Sequence, residues 1–381
     1  MNKRFNIVLA GILCSLGVMA QEDTLTVRQN NEVIELGRTI AYDAKEVTGA
    51  VSATTNFSHK NSIKPSNQLF GTLPGLMVLQ NAGTVWENGA TMYVRGTSSL
   101  NSNSPLVLVD GFERSIDELS SEEIESVSVL KDAVATSLYG IRGANGVVLV
   151  KTKRGTIGAP KINFSYEFNM ATPKRLPDFV DGYTYANALN EAMRNDGLSP
   201  RYSDSELNAF KNQTNPNFYP NVDWMDLLLK EGAWQHRVNL NMNGGGNTAR
   251  YFVSFSYLDE QGMYNTDSSL KGDYNTNADY RRYNYRMNTD IDITKSTLLK
   301  LGVSGYLSKR NSPGLGDSDV WGELFGYTPI RTPVLYSNGY VPAVGTGNKT
   351  NPWVAATQTG FNENWKNTIQ TNVTLEQKLD F

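Results

Sequence analysis

The 381-residue chain has one cysteine, two histidines and, beyond its N-terminus, no apolar run long enough for a membrane-spanning helix. Each scarcity excludes a class of chemistry. Cys14 lies inside the N-terminal apolar run, so a chain processed after that run has no thiol for a disulfide, a thiolate nucleophile or a Cys-based zinc site. His59 and His236 are far apart, and there is no H-E-x-x-H, no G-x-S-x-G and no cysteine pair. No catalytic residue, metal site or cofactor is therefore expected. Asp317-Ser318-Asp319 is the one acidic cluster with a cation-binding look, and a solvated loop accounts for it equally well. Lys+Arg 35 against Asp+Glu 38, spread along the chain, gives a net charge of -3 and no basic face for a phosphate backbone, so nucleic acid is not an expected partner. Any membrane crossing must be made by strands, because the mean hydropathy is -0.40.

What is present begins with Lys3 and Arg4, an apolar run from Phe5 to Met19 and the small residue Ala20, the layout of a secretory signal peptide over residues 1–20. Residues 21–46 are polar and only briefly apolar, which suits a tether. Within it Asp23, Thr24, Leu25, Thr26 and Val27 form a β-prone patch fit to add as a strand to another protein's sheet edge, and Glu32 to Leu36 is a second such patch.

Residues 47–155 read as a compact α+β unit. Leu106 to Val109 is a short apolar strand closed by the turn dipeptide Asp110-Gly111. Ser120 followed by Glu123 has the spacing of a capping box opening a short helix, and Val127 to Leu130 returns to strand. Asp132 to Tyr139 is helical in pattern and stopped by Gly140, after which Gly143 and Gly146 turn the chain into the strand Val147 to Lys151. These glycines are spaced G-x-x-G-x-x-G between a helix and a strand. A dinucleotide loop needs the opposite order, with phosphate at a helix N-terminus, so nucleotide binding is not read here.

From residue 156 to 381 alternation dominates. Tyr283, Tyr285, Met287, Thr289, Ile291 and Ile293 share one face, and Asn284, Arg286, Asn288, Asp290 and Asp292 the other. Similar segments start at Lys161, Trp234, Tyr251, Leu299 and Ile369, giving about six strands. The connections after the second and fourth are minimal, Gly244 to Asn247 and Thr294 to Ser296. Those after the first, third and fifth are long. A sandwich has no reason to alternate so strictly, whereas an outer-membrane barrel has short turns at one rim and long loops at the other.

Thr48 to Ser52, Tyr93-Val94-Arg95-Gly96, Pro105 to Gly111, Ile124 to Ala133 and Tyr139 to Gly155 together resemble the SusC/RagA family of TonB-dependent transporters. Val222-Asp223-Trp224, Tyr251 to Gly262 and Asn351-Pro352 resemble the start of that family's barrel more weakly. The resemblance implies a membrane β-barrel with an N-terminal α+β plug domain, here with only the first six or so of about 22 strands. It also implies the cell outer membrane, with plug and turns periplasmic and long loops extracellular. The implied partners are a TonB-type energy-coupling protein gripping the tether, a SusD-like surface lipoprotein lid, outer-membrane lipid, and a glycan or peptide substrate. The implied activity is import of a large nutrient. A receptor or adhesin barrel without transport and a cell-surface enzyme are the alternatives. Trp86, Tyr93, Trp321, Tyr327, Tyr336, Tyr340 and Trp353 are the aromatics expected to stack on sugar rings or peptide side chains, with girdle or loop packing as their ordinary role.

Overall fold

The structure, a computed structural model, describes residues 33–35, 41–43, 49–55, 62–80, 83–267, 269, 274–342 and 350–379. The expected signal peptide and the candidate coupling segment Asp23 to Val27 lie outside them. Within the expected tether, β1 (Val33–Glu35) and β2 (Ala41–Asp43) pair antiparallel, Val33 opposite Asp43. One of the two β-prone patches is therefore a strand with a local partner, where the sequence pointed to an unpacked tether.

The next unit is built on a five-stranded sheet. In chain order its strands are β3 (Val51–Thr54), β6 (Leu106–Val109), β7 (Phe112–Glu113), β8 (Ile124–Leu130) and β9 (Val147–Thr152), and across the sheet the order is β3-β8-β9-β6-β7. A separate hairpin, β4 (Leu76–Gln80) with β5 (Ala90–Val94), lies beside it. Asp110 and Gly111 both take positive φ, 49° and 84°, which is the backbone a two-residue hairpin turn of type I′ demands, so the expected turn forms. Leu69, Ile116, Leu119, Val127, Val129 and Val148 form the centre of one apolar core. Burying each such side chain is worth about 1.5–3 kcal/mol.

Two local expectations change. Ser120 does not cap a helix: residues Ser121–Glu123 make a single 3-10 turn, the Ser120 hydroxyl donates to Asn239 Oδ1 at 3.1 Å, and Glu123 points away to an arginine described below. The capping-box spacing was correct, but stronger partners 119 and 163 residues away took both side chains. The helix after Asp132 is also shorter than its pattern, α-helical only over Ala133–Thr136, with a 3-10 stretch to Gly143 broken at Gly140 (φ 55°).

Residues from Gly158 onward form a six-stranded antiparallel meander, β10 (Gly158–Ala171), β11 (Ala233–Gly245), β12 (Ala249–Glu260), β13 (Tyr280–Asp292), β14 (Thr297–Pro313) and β15 (Phe361–Gln377), each paired with the next. All six predicted strands are present. Among the described residues β10 and β15 do not pair with each other, so the sheet is open. β14 and β15 pair from Thr297↔Gln377 to Pro313↔Phe361, 17 residues each, and extend beyond the predicted strand limits. Residues 309–312 and 362–364 are polar on both faces, so alternation is silent there; tilted membrane strands need only about 9–11 residues, and the excess continues past any lipid band.

The faces of this sheet are the reverse of a soluble core. Ile162, Phe164, Phe255, Met287, Val303 and Val373 are exposed, the last at 71%. Arg237, Asn239, Ser254, Arg282, Asn284, Arg286 and Asn288 are buried beneath the opposite face. On the apolar side, Gly305 sits opposite Tyr285, whose phenol oxygen would meet an added Cβ at 2.6 Å, so the ring lies over the bare glycine backbone. Turns 246–248 and 293–296 are short, whereas connections 172–232, 261–279 and 314–360 are long. The long ones carry helices α1 (Gly182–Asn195), α2 (Asp204–Asn212), α3 (Trp224–Leu228), α4 (Asp317–Gly326) and α5 (Pro352–Thr357). Among the described residues no helix is long and apolar enough to cross a membrane.

Candidate functional site: the plug contact and the loop cluster

The polar face of the meander is held against the five-stranded unit chiefly by one strand. Because successive inward residues of β13 are two apart, Arg282, Asn284, Arg286, Asn288 and Asp290 all point the same way. Every one of them binds that unit. Arg282 donates to the carbonyls of Asp117 (2.6 Å) and Leu119 (3.3 Å), and Asn284 to the carbonyl of Glu118 (2.7 Å). Arg286 Nε donates to Glu123 Oε2 at 2.9 Å, with Asp110 Oδ2 at 3.6 Å from its Nη1. Asn288 donates to the Lys153 carbonyl (2.7 Å) and to Thr152 Oγ1 (3.1 Å). Arg154 closes the row with a two-nitrogen grip on Asp290, from 2.6 Å to 3.1 Å.

The Arg286–Glu123 side chains are 3% and 2% exposed, so the pair is fully desolvated. Such a pair is a poor net stabiliser, since taking two charges out of water cancels most of their attraction, but removing one partner is costly. The contact therefore specifies position strongly while its replacement by water on separation is nearly balanced. Asp110, read from the sequence as a turn residue only, also accepts from the Thr152 backbone N–H and hydroxyl, which fixes it beside Arg286. Another buried charge, Lys64, lies 5.3 Å over the Tyr280 ring. Burial, then the Arg282 charge, lowers its pKa, and Glu260 and Asp117 oppose that.

On the long-loop side the structure gathers four of the seven expected aromatics. Tyr327 is buried, and Trp86, Trp321 and Trp353 pack against the same apolar cluster around Trp224, Leu228, Val320 and Leu324. Trp86 comes from the connection between β4 and β5 and is covered by the Arg310 guanidinium at 4.4 Å. Tyr93 is on β5 opposite Met77, and Tyr336 and Tyr340 close a turn through a 3.0 Å backbone bond, Tyr340 being 72% exposed. Neither part of that last group joins the cluster. Asp317, at the start of α4, has its pKa raised by burial beside Tyr264, and among the described residues no three His, Cys, Asp or Glu side chains are placed to hold a metal.

Beside the cluster is a cavity of about 360 Å³ between the ends of α1, α3 and α4, lined by Phe179, Asp181, Tyr185, Asp223, Trp224 and Phe325 among others. Apart from Tyr327, one of the expected aromatics, and Val222-Asp223-Trp224, the lining residues carried no expectation, because irregular loop sequence has no periodicity to read. A usable signal existed in Asp181 and Asp223, acidic N-caps directly before helical runs.

A buried polar seam between a small folded unit and one face of a sheet that is apolar on the other fits a plug-and-barrel fold. The family model for the TonB-dependent Receptor Plug Domain matches residues 43–147. TonB-dependent receptor P26 of Formosa agariphila is 29% identical over 350 residues, covering 84% of this chain and 31% of that protein. TonB-dependent receptor SusC of Bacteroides thetaiotaomicron is 28% identical over 271 residues, 66% of this chain and 25% of its own length. The structure of the RagAB peptide importer in the open-open state matches with a TM-score of 0.65 at 22% identity, over 84% of this chain and 37% of that one, a likeness of fold. Residues 43–147 thus match a TonB-dependent receptor plug domain, and the chain is similar to SusC/RagA-like TonB-dependent receptors, a family of outer-membrane proteins. The chain spans between a quarter and a third of the length of the curated relatives named.

Proposed function

We propose that the chain forms the plug and the first wall strands of a transporter that imports a large nutrient, oligosaccharide or peptide, across the outer membrane. The observation that carries this is the β13 seam: a small folded domain held by polar, exchangeable contacts against what becomes the wet side of a lipid-facing sheet. A wide barrel leaves an aqueous lumen, and a plug seated through groups that water can replace closes it without being welded in place. In this reading residues 1–20 are the signal peptide, 21–46 the tether, 47–155 the plug and 156–381 the first six strands of a wall of about 22. Its open β10 and β15 edges are the sites where further strands add, since lipid leaves no unpaired backbone group satisfied. Plug and short turns face the periplasm and the long loops face outward. A TonB-type protein pulls on Asp23 to Val27, and a SusD-like lipoprotein covers the loops; no catalytic step is assigned.

The test is uptake by the full-length receptor in cells. Leu25→Pro removes a backbone donor from the coupling segment and is expected to abolish uptake at an unchanged surface level. Val33→Pro examines the second patch. Normal uptake by both variants removes the coupling assignment, and surface binding of cargo with no uptake by the parent receptor removes transport itself.

A further inference from the structure

The β13 seam is polar, but the plug also makes one apolar contact of a different kind. The connection between β4 and β5 carries Val85 and Trp86, and both pack against Ile63, Leu258 and Tyr280 where β12 ends and β13 begins. Trp86 reaches further. Among the described residues it is the one side chain that packs against both this rim cluster and the loop cluster, and the one member of the loop cluster that comes from residues 47–155. The other members come from all three long connections: Trp224 and Leu228 from 172–232, Tyr264 from 261–279, Val320 and Leu324 from 314–360. The three loops therefore share one apolar core that includes an indole of the plug.

Trp86 is held from both sides. Arg310, near the long-loop end of β14, lays its guanidinium over the ring at 4.4 Å, and its Nη1 lies 3.9 Å from Glu87 Oε1. Behind the ring the connection is tied to the plug. Asn67 Nδ2, on the helical turn Pro65–Gln68, donates to the Asn88 carbonyl at 2.5 Å, and the Ala90 N–H donates to Ser66 Oγ at 2.8 Å. Gly89 lies so close to Asp117 that an added Cβ would meet Oδ2 at 2.3 Å, which leaves the segment no room to slide. Trp86 must then travel with the plug. Polar groups of the seam exchange protein partners for water when the plug leaves. An indole has no such substitute: its withdrawal returns apolar surface to water and leaves a hole in the core the loops share. We infer that Trp86 is a positioning residue that couples plug to loops, completing the loop core while the plug is seated and loosening all three connections when the plug moves. Linkage makes this reciprocal, so whatever stiffens the loops from outside also tightens the seat. The coupling rests on the plug-over-lumen reading above and is a task for Trp86 separate from cargo stacking.

Trp86→Ala and Trp86→Phe in the purified full-length receptor test it, with two readouts on each sample: hydrogen exchange in α3, α4 and α5, and pore openings in planar bilayers. Trp86→Ala is expected to speed exchange in the three helices about tenfold, inside the roughly 5–150-fold span of coupled sites, and to raise the frequency of large-conductance openings by a similar factor. Trp86→Phe keeps a ring in the core and should restore most of both. In Glu123→Gln, exchange in the helices should rise in step with the openings, and in a Trp86→Ala background Glu123→Gln should add nothing to it. Faster loops behind an unchanged closure would reduce Trp86 to ordinary packing and overturn the coupling. So would openings with the loop helices unaffected, no change in either readout, or equal increments from Glu123→Gln with and without the indole. Both readouts are taken without cargo, so a receptor that imports nothing removes the import reading and leaves the coupling to stand or fall by itself.

Discussion

Replacing Glu123 by Gln should unseat the plug. The exchange keeps the shape of the side chain and removes the charge that faces Arg286 at 2.9 Å in a contact only 2–3% exposed. Breaking a buried ion pair from one side costs about 3–5 kcal/mol, because the remaining charge is left dry and unpaired. Asp110 remains at 3.6 Å and Thr152 Oγ1 at 3.4 Å from Arg286 Nη1, so the low end applies, roughly 3 kcal/mol and more than a hundredfold in the plug-seating equilibrium. In planar bilayers the full-length variant is expected to show frequent large-conductance openings where the parent is closed, and cells carrying it to become sensitive to a large antibiotic. Changing both partners, Glu123→Leu with Arg286→Met, removes the stranded charge and is expected to restore closure, since apolar replacement of such pairs is often neutral or better. A single variant as tight as the parent, or a double variant no tighter than the single, would refute the assignment of this pair as the positional clamp.

The Asp132 carboxylate accepts Ala135 N–H at 2.9 Å and Ala50 N–H at 2.6 Å, and these bonds hold its pKa below the usual carboxylate range. A depressed folded pKa means that its contribution is complete above the unfolded carboxylate pKa and is lost as pH falls through the folded value. Asp132→Asn should therefore speed hydrogen exchange at Ala50 and along β3 at neutral pH, and the difference from the parent should shrink as the pH drops below about 4; equal exchange at neutral pH would contradict it. Phe255→Arg, in the middle of the outward apolar band, is expected to destabilise the full-length receptor in bilayers by about 2–4 kcal/mol on urea unfolding, whereas Ser99→Arg in an exposed plug loop should be close to neutral. Sequencing the exported chain should give Gln21 as its first residue, and a chain still starting at Met1 would remove the signal-peptide assignment.

Alternation needs no partner, so it made all six wall strands, and the order of short and long connections, legible in the sequence. The same holds for Asp110-Gly111, where a two-residue turn needs φ values that only a few residue types adopt. Ser120 and Glu123 show where local reading ends. Their spacing fits a helix cap, yet Asn239 and Arg286 compete for the same atoms from far along the chain, and leaving Arg286 dry and unpaired would cost about 3–5 kcal/mol against about 1 kcal/mol for a lost cap. The loop cavity was hard to read for a related reason, because Phe179, Trp224 and Phe325 come together only when helices from two separate connections, 172–232 and 314–360, meet.

By itself the sequence determined that there are two faces and that one is apolar, since a period of two fixes which residues share a side. Alternation alone could not determine which face looks inward, and only the order of short and long connections pointed to the apolar one facing out. Tertiary structure decided that, by placing Arg282, Asn284, Arg286 and Asn288 against a folded plug and leaving Phe164, Phe255, Met287 and Val373 without protein cover. The reason is that inward and outward are properties of what the other side touches, and the plug's carbonyls and carboxylates satisfy polar groups that an apolar core would have left stranded.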